Sequence, residues 1–314
     1  MHKYAEIHLY FHKNSKDHEF YAKIFKNLLT KVNKGCIITS IENNFQKGEG
    51  KMKKLLSLVL VAIMIASVCC FTSCGKKDDN TIVVYTEAGF APYEFMYNNE
   101  IVGVDIAIMK AVGEELGKEV VFNDVDFNTI CTSVQSGKAD VGAAGITIRD
   151  DRAEQVDFSI PYSSTEQYVI VPADNDTIKN LDDLKDKNIG IQNGTTSDML
   201  IADLISDGTL GNAEIIPYSS PAVAAASMNK QDAVVTDKLT AQLIVANNAD
   251  LKAFALVKAD GTPAAEVEEY GIAVQKGNKE LLDAINKVLE KLIADGTIDQ
   301  WVAEYSAKAQ EVGA

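Results

Sequence analysis

The chain has 314 residues, 46% of them hydrophobic, and a net charge of -15 that is unevenly spread: residues 1–74 carry 11 lysines against 5 acids, residues 75–314 carry 19 basic against 40 acidic side chains. A body that acidic excludes nucleic-acid binding by counterion release, and anionic lipid repels it unless something covalent holds it there. All four histidines (His2, His8, His12, His18) fall in the first 18 residues, and the cysteines (Cys36, Cys69, Cys70, Cys74, Cys131) show no metal-binding spacing. This inventory removes zinc sites, histidine acid–base pairs and Cys–His nucleophiles from the body, and no metal or other cofactor is expected.

Residues 1–51 are too few for a stable core and too polar for an anchor. Lys47-Gly-Glu-Gly-Lys51 is what a purine-rich ribosome-binding stretch gives when read through, so translation is expected to start at Met52, with 1–51 an upstream frame that is untranslated or unstructured. Residues 52–73 then supply the parts of a secretory signal: Lys53 and Lys54, an apolar run from Leu55 to Val68, and small residues before a cysteine. The segment resembles a bacterial lipoprotein signal with Cys74 as the lipidated residue, although Phe71 stands where leucine is usual. Cys69 and Cys70 fit worse, because Val68 and Cys69 precede them. The apolar run is also close to the length of an uncleaved anchor. Either way the body is expected outside the cytoplasm and attached to the membrane, behind a polar tether at 74–80.

From Thr81 onward strand-like and helix-like runs alternate. Strands are predicted at 81–86, 119–122, 139–143, 188–192, 213–217, 232–235 and 270–275. Helices are predicted at 105–117, 128–136, 197–206, 221–228, 237–247, 279–294 and 298–307, with Asp105 as an N-cap and Gly117 as a stop. This pattern predicts an α/β architecture with largely parallel sheets. It breaks between Ile160 and Pro172 and again at Lys258–Pro263. Two crossings there would divide the body into one lobe from 81–166 plus 272–314 and another from 170–268.

Two arginines stand against 28 lysines, and both lie in Gly145-Ile-Thr-Ile-Arg-Asp-Asp-Arg152. A planar guanidinium grips a carboxylate through two parallel N–H bonds, a task that lysine does poorly. The plainer alternative is an arginine-poor genome that left two survivors on a solvated turn. Asp150 and Asp151 read as first-turn caps of a helix and not as ligands, and Cys131 as an inert core thiol.

That loop is one of eight segments in register. The others are Gly89-Phe-Ala-Pro-Tyr-Glu-Phe95, Gly103-Val-Asp105, Asp126-Phe127, Val156-Asp-Phe-Ser159, Gly190-Ile-Gln-Asn-Gly-Thr-Thr-Ser197, Asp232-Ala-Val-Val-Thr-Asp237 and Tyr270-Gly-Ile-Ala273. Together they resemble the amino-acid-binding subunits of bacterial ABC importers over essentially all of 81–306. Ala107 departs from the family, which often has a second Asp there. The resemblance implies a two-lobed, type II periplasmic-binding-protein fold with a ligand cleft between the lobes. It assigns the ligand α-carboxylate to Arg152, with the backbone amides of Thr195 and Thr196 at a helix start. The α-ammonium falls to the Gly145 carbonyl, the Thr147 hydroxyl and Asp237, whose plainer reading is an N-cap. Phe90 and Phe127 would sandwich the side chain, and Glu87 and Gln192 would meet its end. Glu87 suits a guanidinium, ammonium or amide and opposes a carboxylate.

The resemblance therefore implies a monomeric, non-enzymatic lipoprotein that captures a free L-amino acid, polar or basic (arginine, lysine, histidine or glutamine), and delivers it by lobe closure to an ABC permease. Two alternatives share the scaffold. One is a dehydratase of prephenate-like substrates, which would want a second strong cation in the cleft. The other is a sensor domain acting through a separate membrane partner.

Overall fold

The computed structural model describes residues 80–313. Residues 1–51, the signal at 52–73, the lipidation candidate Cys74 and all of the tether but Asn80 lie outside the described residues.

The body starts at β1 (Thr81–Thr86), turns through a small meander of β2 (Gly89–Phe90), β3 (Glu94–Tyr97) and β4 (Glu100–Val102), and continues as α1 (Val104–Leu116), β5 (Glu119–Asp124), α2 (Ile130–Gln135), β6 (Val141–Gly142), α3 (Asp150–Ala153) and β7 (Val156–Phe158). The crossing strand β8 (Ser163–Thr165) leads to β9 (Gln167–Pro172), β10 (Asn188–Gln192), α4 (Thr196–Ser206), β11 (Glu214–Tyr218), α5 (Pro221–Ala226), β12 (Ala233–Asp237), α6 (Lys238–Ala246) and β13 (Leu251–Ala255). The chain returns through β14 (Glu268–Tyr270), which pairs antiparallel with β8, and ends in β15 (Ala273–Gln275), α7 (Lys279–Ala294) and α8 (Thr297–Val312).

Two five-stranded sheets result, in the orders β5-β1-β6-β15-β7 and β11-β10-β12-β9-β13. In each, four strands run one way and one runs against them: β15 in the first sheet, β9 in the second. The reversed strand is the one by which the chain arrives from the other sheet. A parallel neighbour normally needs a crossover helix, whereas a strand arriving directly can insert antiparallel. This is the two-lobed α/β fold, with β8 and β14 side by side between the lobes.

Each lobe has its own core. In the first, Val84 and Val141 pack against Ile108, Met109 and Val112 of α1 and Ile285 and Leu289 of α7, all fully buried. Each such side chain contributes about 1.5–3 kcal/mol. Val169, Ile189, Ile191, Val235 and Ile201 do the same in the second.

Two local expectations are corrected. Gly103, not Asp105, is the N-cap of α1. Asp105 lies inside the first turn, fully buried, and accepts from the Gly145 backbone N–H (2.9 Å) and the Tyr162 hydroxyl (2.7 Å). A carboxylate that finds two buried donors across the fold has no need of its own helix end. The single strand expected at 270–275 is split, because Tyr270 pairs with Ser163 in the crossing whereas Ala273 pairs with Gly142 and Phe158 in the first sheet.

Candidate ligand-binding site

Nine of the ten candidate residues line one pocket: Phe90, Phe127, Gly145, Thr147 and Arg152 from the first lobe, and Gln192, Thr195, Thr196 and Asp237 from the second. The tenth, Glu87, accepts from Gln192 Nε2 at 2.9 Å. The chemistry gathers because strand ends and the loops after them converge on the cleft. Gln192 ends β10, Asp237 ends β12, and Thr195 caps α4 by accepting from the Asp198 amide (3.2 Å). Gly145 turns with φ 52°, and a Cβ there would lie 2.7 Å from Phe90 Cε1, so this turn needs glycine.

Arg152 is 6% exposed, lies over the Phe127 ring at 5.4 Å, and donates from Nη1 to the Thr147 carbonyl (3.0 Å) and from Nη2 to the Gly194 carbonyl across the cleft (3.2 Å). No carboxylate among the described residues forms an ion pair with it. A buried guanidinium held only by neutral acceptors is a costly arrangement that an incoming carboxylate relieves. Arg149 is different: its Nε pairs with Asp151 at 3.0 Å on the surface.

Asp237 stands at the N-cap position of α6, yet its side chain makes no capping bond. Its Oδ1 accepts from Gln167 Nε2 (2.8 Å), and its Oδ2 accepts from the Tyr270 hydroxyl. Burial first, then the nearby charge of Glu268, raises it to about 7. Glu87 is also raised to about 7, chiefly by burial; the bond from Gln192 opposes this, and the charges of Asp124 and Asp126 add to it. The pocket thus sets an unpaired cation against one buried carboxylate, Asp237, and one half-buried carboxylate, Glu87, both with only neutral donors, the electrostatic complement of a zwitterion.

The cavity enclosed among these groups is about 20 Å³, closed over by the Gln192–Glu87 and Arg152–Gly194 bonds. By that measure a water needs about 10–15 Å³, so the space suits one water and a larger ligand enters only if the lobes part and Arg152 exchanges its carbonyl partners.

Residues 82–308 match the family model described as bacterial extracellular solute-binding proteins, family 3. The chain belongs to that family. Among the relatives of this family 3 protein, the arginine-binding extracellular protein ArtP of Bacillus subtilis is 30% identical over 79% of this chain and 96% of its own. The solved structure of an ancestral arginine-binding protein bound to arginine is 39% identical, with a TM-score of 0.65 over 73% of this chain and 99% of its own. The ancestral amino-acid-binding protein AncCDT-1, a precursor of cyclohexadienyl dehydratase, is 32% identical with a TM-score of 0.63, over 72% and 95%.

The family 3 protein adds polar groups that its sequence did not single out. Gln167, at the start of β9, donates from Nε2 to both Asp237 Oδ1 and Glu268 Oε1 (2.7 Å), and accepts from the Ser197 hydroxyl (2.7 Å). Glu268 Oε2 accepts from the Thr147 hydroxyl (2.8 Å). A hydroxyl has one proton, so giving it to Glu268 leaves the oxygen of Thr147 as an acceptor facing the pocket. Gln167 and Glu268 lie at or beside the two crossings. The signal available in the sequence was polar residues next to those breaks, where the floor of a cleft must be.

Glu268→Gln is expected to lower ligand affinity about tenfold, because one end of the new amide turns a donor toward Thr147 or Gln167. The loss should be equal for ligands that differ only in side chain. Calorimetric titration of two such ligands checks it, and a side-chain-dependent loss would contradict the assignment.

Proposed function

We propose that this protein captures a free L-amino acid outside the cytoplasm and hands it to an ABC permease, with a polar or basic side chain on the ligand and a basic one favoured. The carrying observation is Arg152, a buried guanidinium without an anionic partner, opposite Asp237, a buried carboxylate without a cationic one. In this reading the α-carboxylate takes Arg152 and the amides at the start of α4, and the α-ammonium takes Asp237, Thr147 and Gly145. Phe90 and Phe127 flank the side chain. Glu87 and Gln192 receive its end, where the carboxylates Asp124 and Asp126 stand close enough to raise Glu87. That charge balance favours arginine, lysine or histidine, admits glutamine and opposes glutamate.

The lobes would be 81–166 with 272–314, and 170–268, hinged at β8 and β14. Ligand shifts the balance toward closure because its two charged groups are held from opposite lobes. Lipidation at Cys74, attachment to the membrane and a monomeric body complete the proposal. No reaction is assigned. A dehydratase substrate with two carboxylates would meet Arg152 as the single cation lining the pocket and would be repelled by Asp237.

The test is a thermal-shift screen of the purified protein against the amino acids, since a ligand that binds only the folded state raises its melting temperature. Shifts are expected with arginine and with some of lysine, histidine and glutamine. A shift with glutamate alone, or with no amino acid, contradicts the reading.

A further inference from the structure

Beside the inner pocket the cleft opens into a second, solvent-facing chamber of about 250 Å³, lined by Asp126, Phe127 and Asn128 from the first lobe and Asn193, Pro217, Tyr218 and Ser219 from the second, most of them exposed. Three contacts tie it to the inner pocket. Phe127 lines both spaces. Gln192, a wall of the inner pocket, donates to the Ser219 carbonyl, a wall of the chamber, at 2.9 Å. The same Nε2 donates to Glu87, whose charged neighbours are Asp124 and the chamber residue Asp126.

A side chain that leaves the head-group pocket past Phe127 and the Gln192–Glu87 pair would therefore reach the chamber. At that size the chamber has room for several heavy atoms. Its lining residues offer a carboxylate, two side-chain amides and two hydroxyls, of which that of Tyr218 is taken up by Gln231, and include no lysine or arginine. Such a lining favours a hydrogen-bonding cation and disfavours an anion.

We propose that this chamber is a second subsite, which receives a cationic group carried beyond the reach of an arginine side chain. The ligand class it adds is L-amino acids with lengthened or N-alkylated guanidino side chains. The inference rests on the inner pocket holding the α-carboxylate and α-ammonium as proposed above.

Calorimetric titration of the purified protein with L-arginine, L-homoarginine and symmetric Nω-dimethyl-L-arginine tests it. The two longer ligands are expected within about tenfold of arginine, the range left when an extension meets space and not a wall. Asn193→Trp fills the chamber from an exposed position, and Pro217→Trp does so independently from an edge strand; melting curves show which variants fold. Each is expected to cost the longer ligands about tenfold or more and arginine less than about threefold. Arginine binding with the longer ligands more than about 100-fold weaker overturns the subsite alone, as does an equal loss for all three ligands in the tryptophan variants. Failure of every amino acid to bind overturns the proposed function and the subsite with it.

Discussion

Arg152→Lys is expected to weaken amino-acid binding by about 100-fold, while the melting temperature of the ligand-free protein moves by only a few degrees. A hydrogen bond to a charged partner is worth about 1.5–3 kcal/mol, and lysine cannot offer the two parallel donors of a guanidinium fork. Losing one bond and misaligning the other costs about 3 kcal/mol, which is about two orders of magnitude in affinity. The free protein suffers less, since its Arg152 contacts are two neutral carbonyls and the Phe127 ring. Arg149→Lys serves as the control: its Nε pairs with Asp151 on the surface, where an ion pair is worth little, so affinity should stay within about twofold. Titration calorimetry and melting curves of both variants check this. Binding by Arg152→Lys within about threefold of the parent would remove Arg152 from the carboxylate site.

The contrast between these two arginines marks what the sequence could carry. Arg152 and its loop were legible because a short segment holds Gly145, Thr147 and Arg152 at fixed spacing, and the pocket gathers all three. The strand–helix alternation was legible too, since apolar periodicity is a local property. Glu268 and Gln167 were not. They are about a hundred residues apart and meet at 2.7 Å only because β8 and β14 run antiparallel between the lobes. Nothing in either neighbourhood announces the partner. Asp105 failed for the opposite reason: it sits where an N-cap is expected, but the fold brings the Gly145 amide and the Tyr162 hydroxyl within reach, and those bonds prevail. For Asp237 the sequence leaves two readings, a ligand group and a plain cap; it occupies the cap position yet bonds elsewhere, a distinction visible only with side chains in place.

Asp237→Asn is expected to cost about 100-fold or more in affinity and, more tellingly, to change how affinity depends on pH. Removing one partner of a desolvated charge pair costs about 2–5 kcal/mol. In the free protein Asp237 is raised to about 7, by burial first and Glu268 next. A bound ammonium favours the ionised form, so ligand binds the carboxylate and is opposed by the proton. For a group that titrates near 7, the ionised fraction falls about tenfold between pH 8 and pH 6, and affinity falls with it. Glutamine, whose side chain is neutral, should therefore lose about tenfold over that span. Arginine also meets Glu87, likewise raised to about 7, and should lose about 100-fold. Asp237→Asn should flatten the glutamine profile and leave arginine with the tenfold part, whereas Glu87→Gln should leave glutamine's profile unchanged and reduce arginine's to tenfold. Profiles that stay parallel in all three proteins would contradict the assignment. Stability should run the other way. A carboxyl whose folded value is raised contributes stability fully present below its unfolded value of 3.8 and lost as pH rises toward the folded value of about 7. Acidification through that window should thus stabilise the ligand-free protein while weakening its hold on ligand. The desolvation of Asp237 that costs stability near neutral pH is the same feature that draws an ammonium group into the cleft.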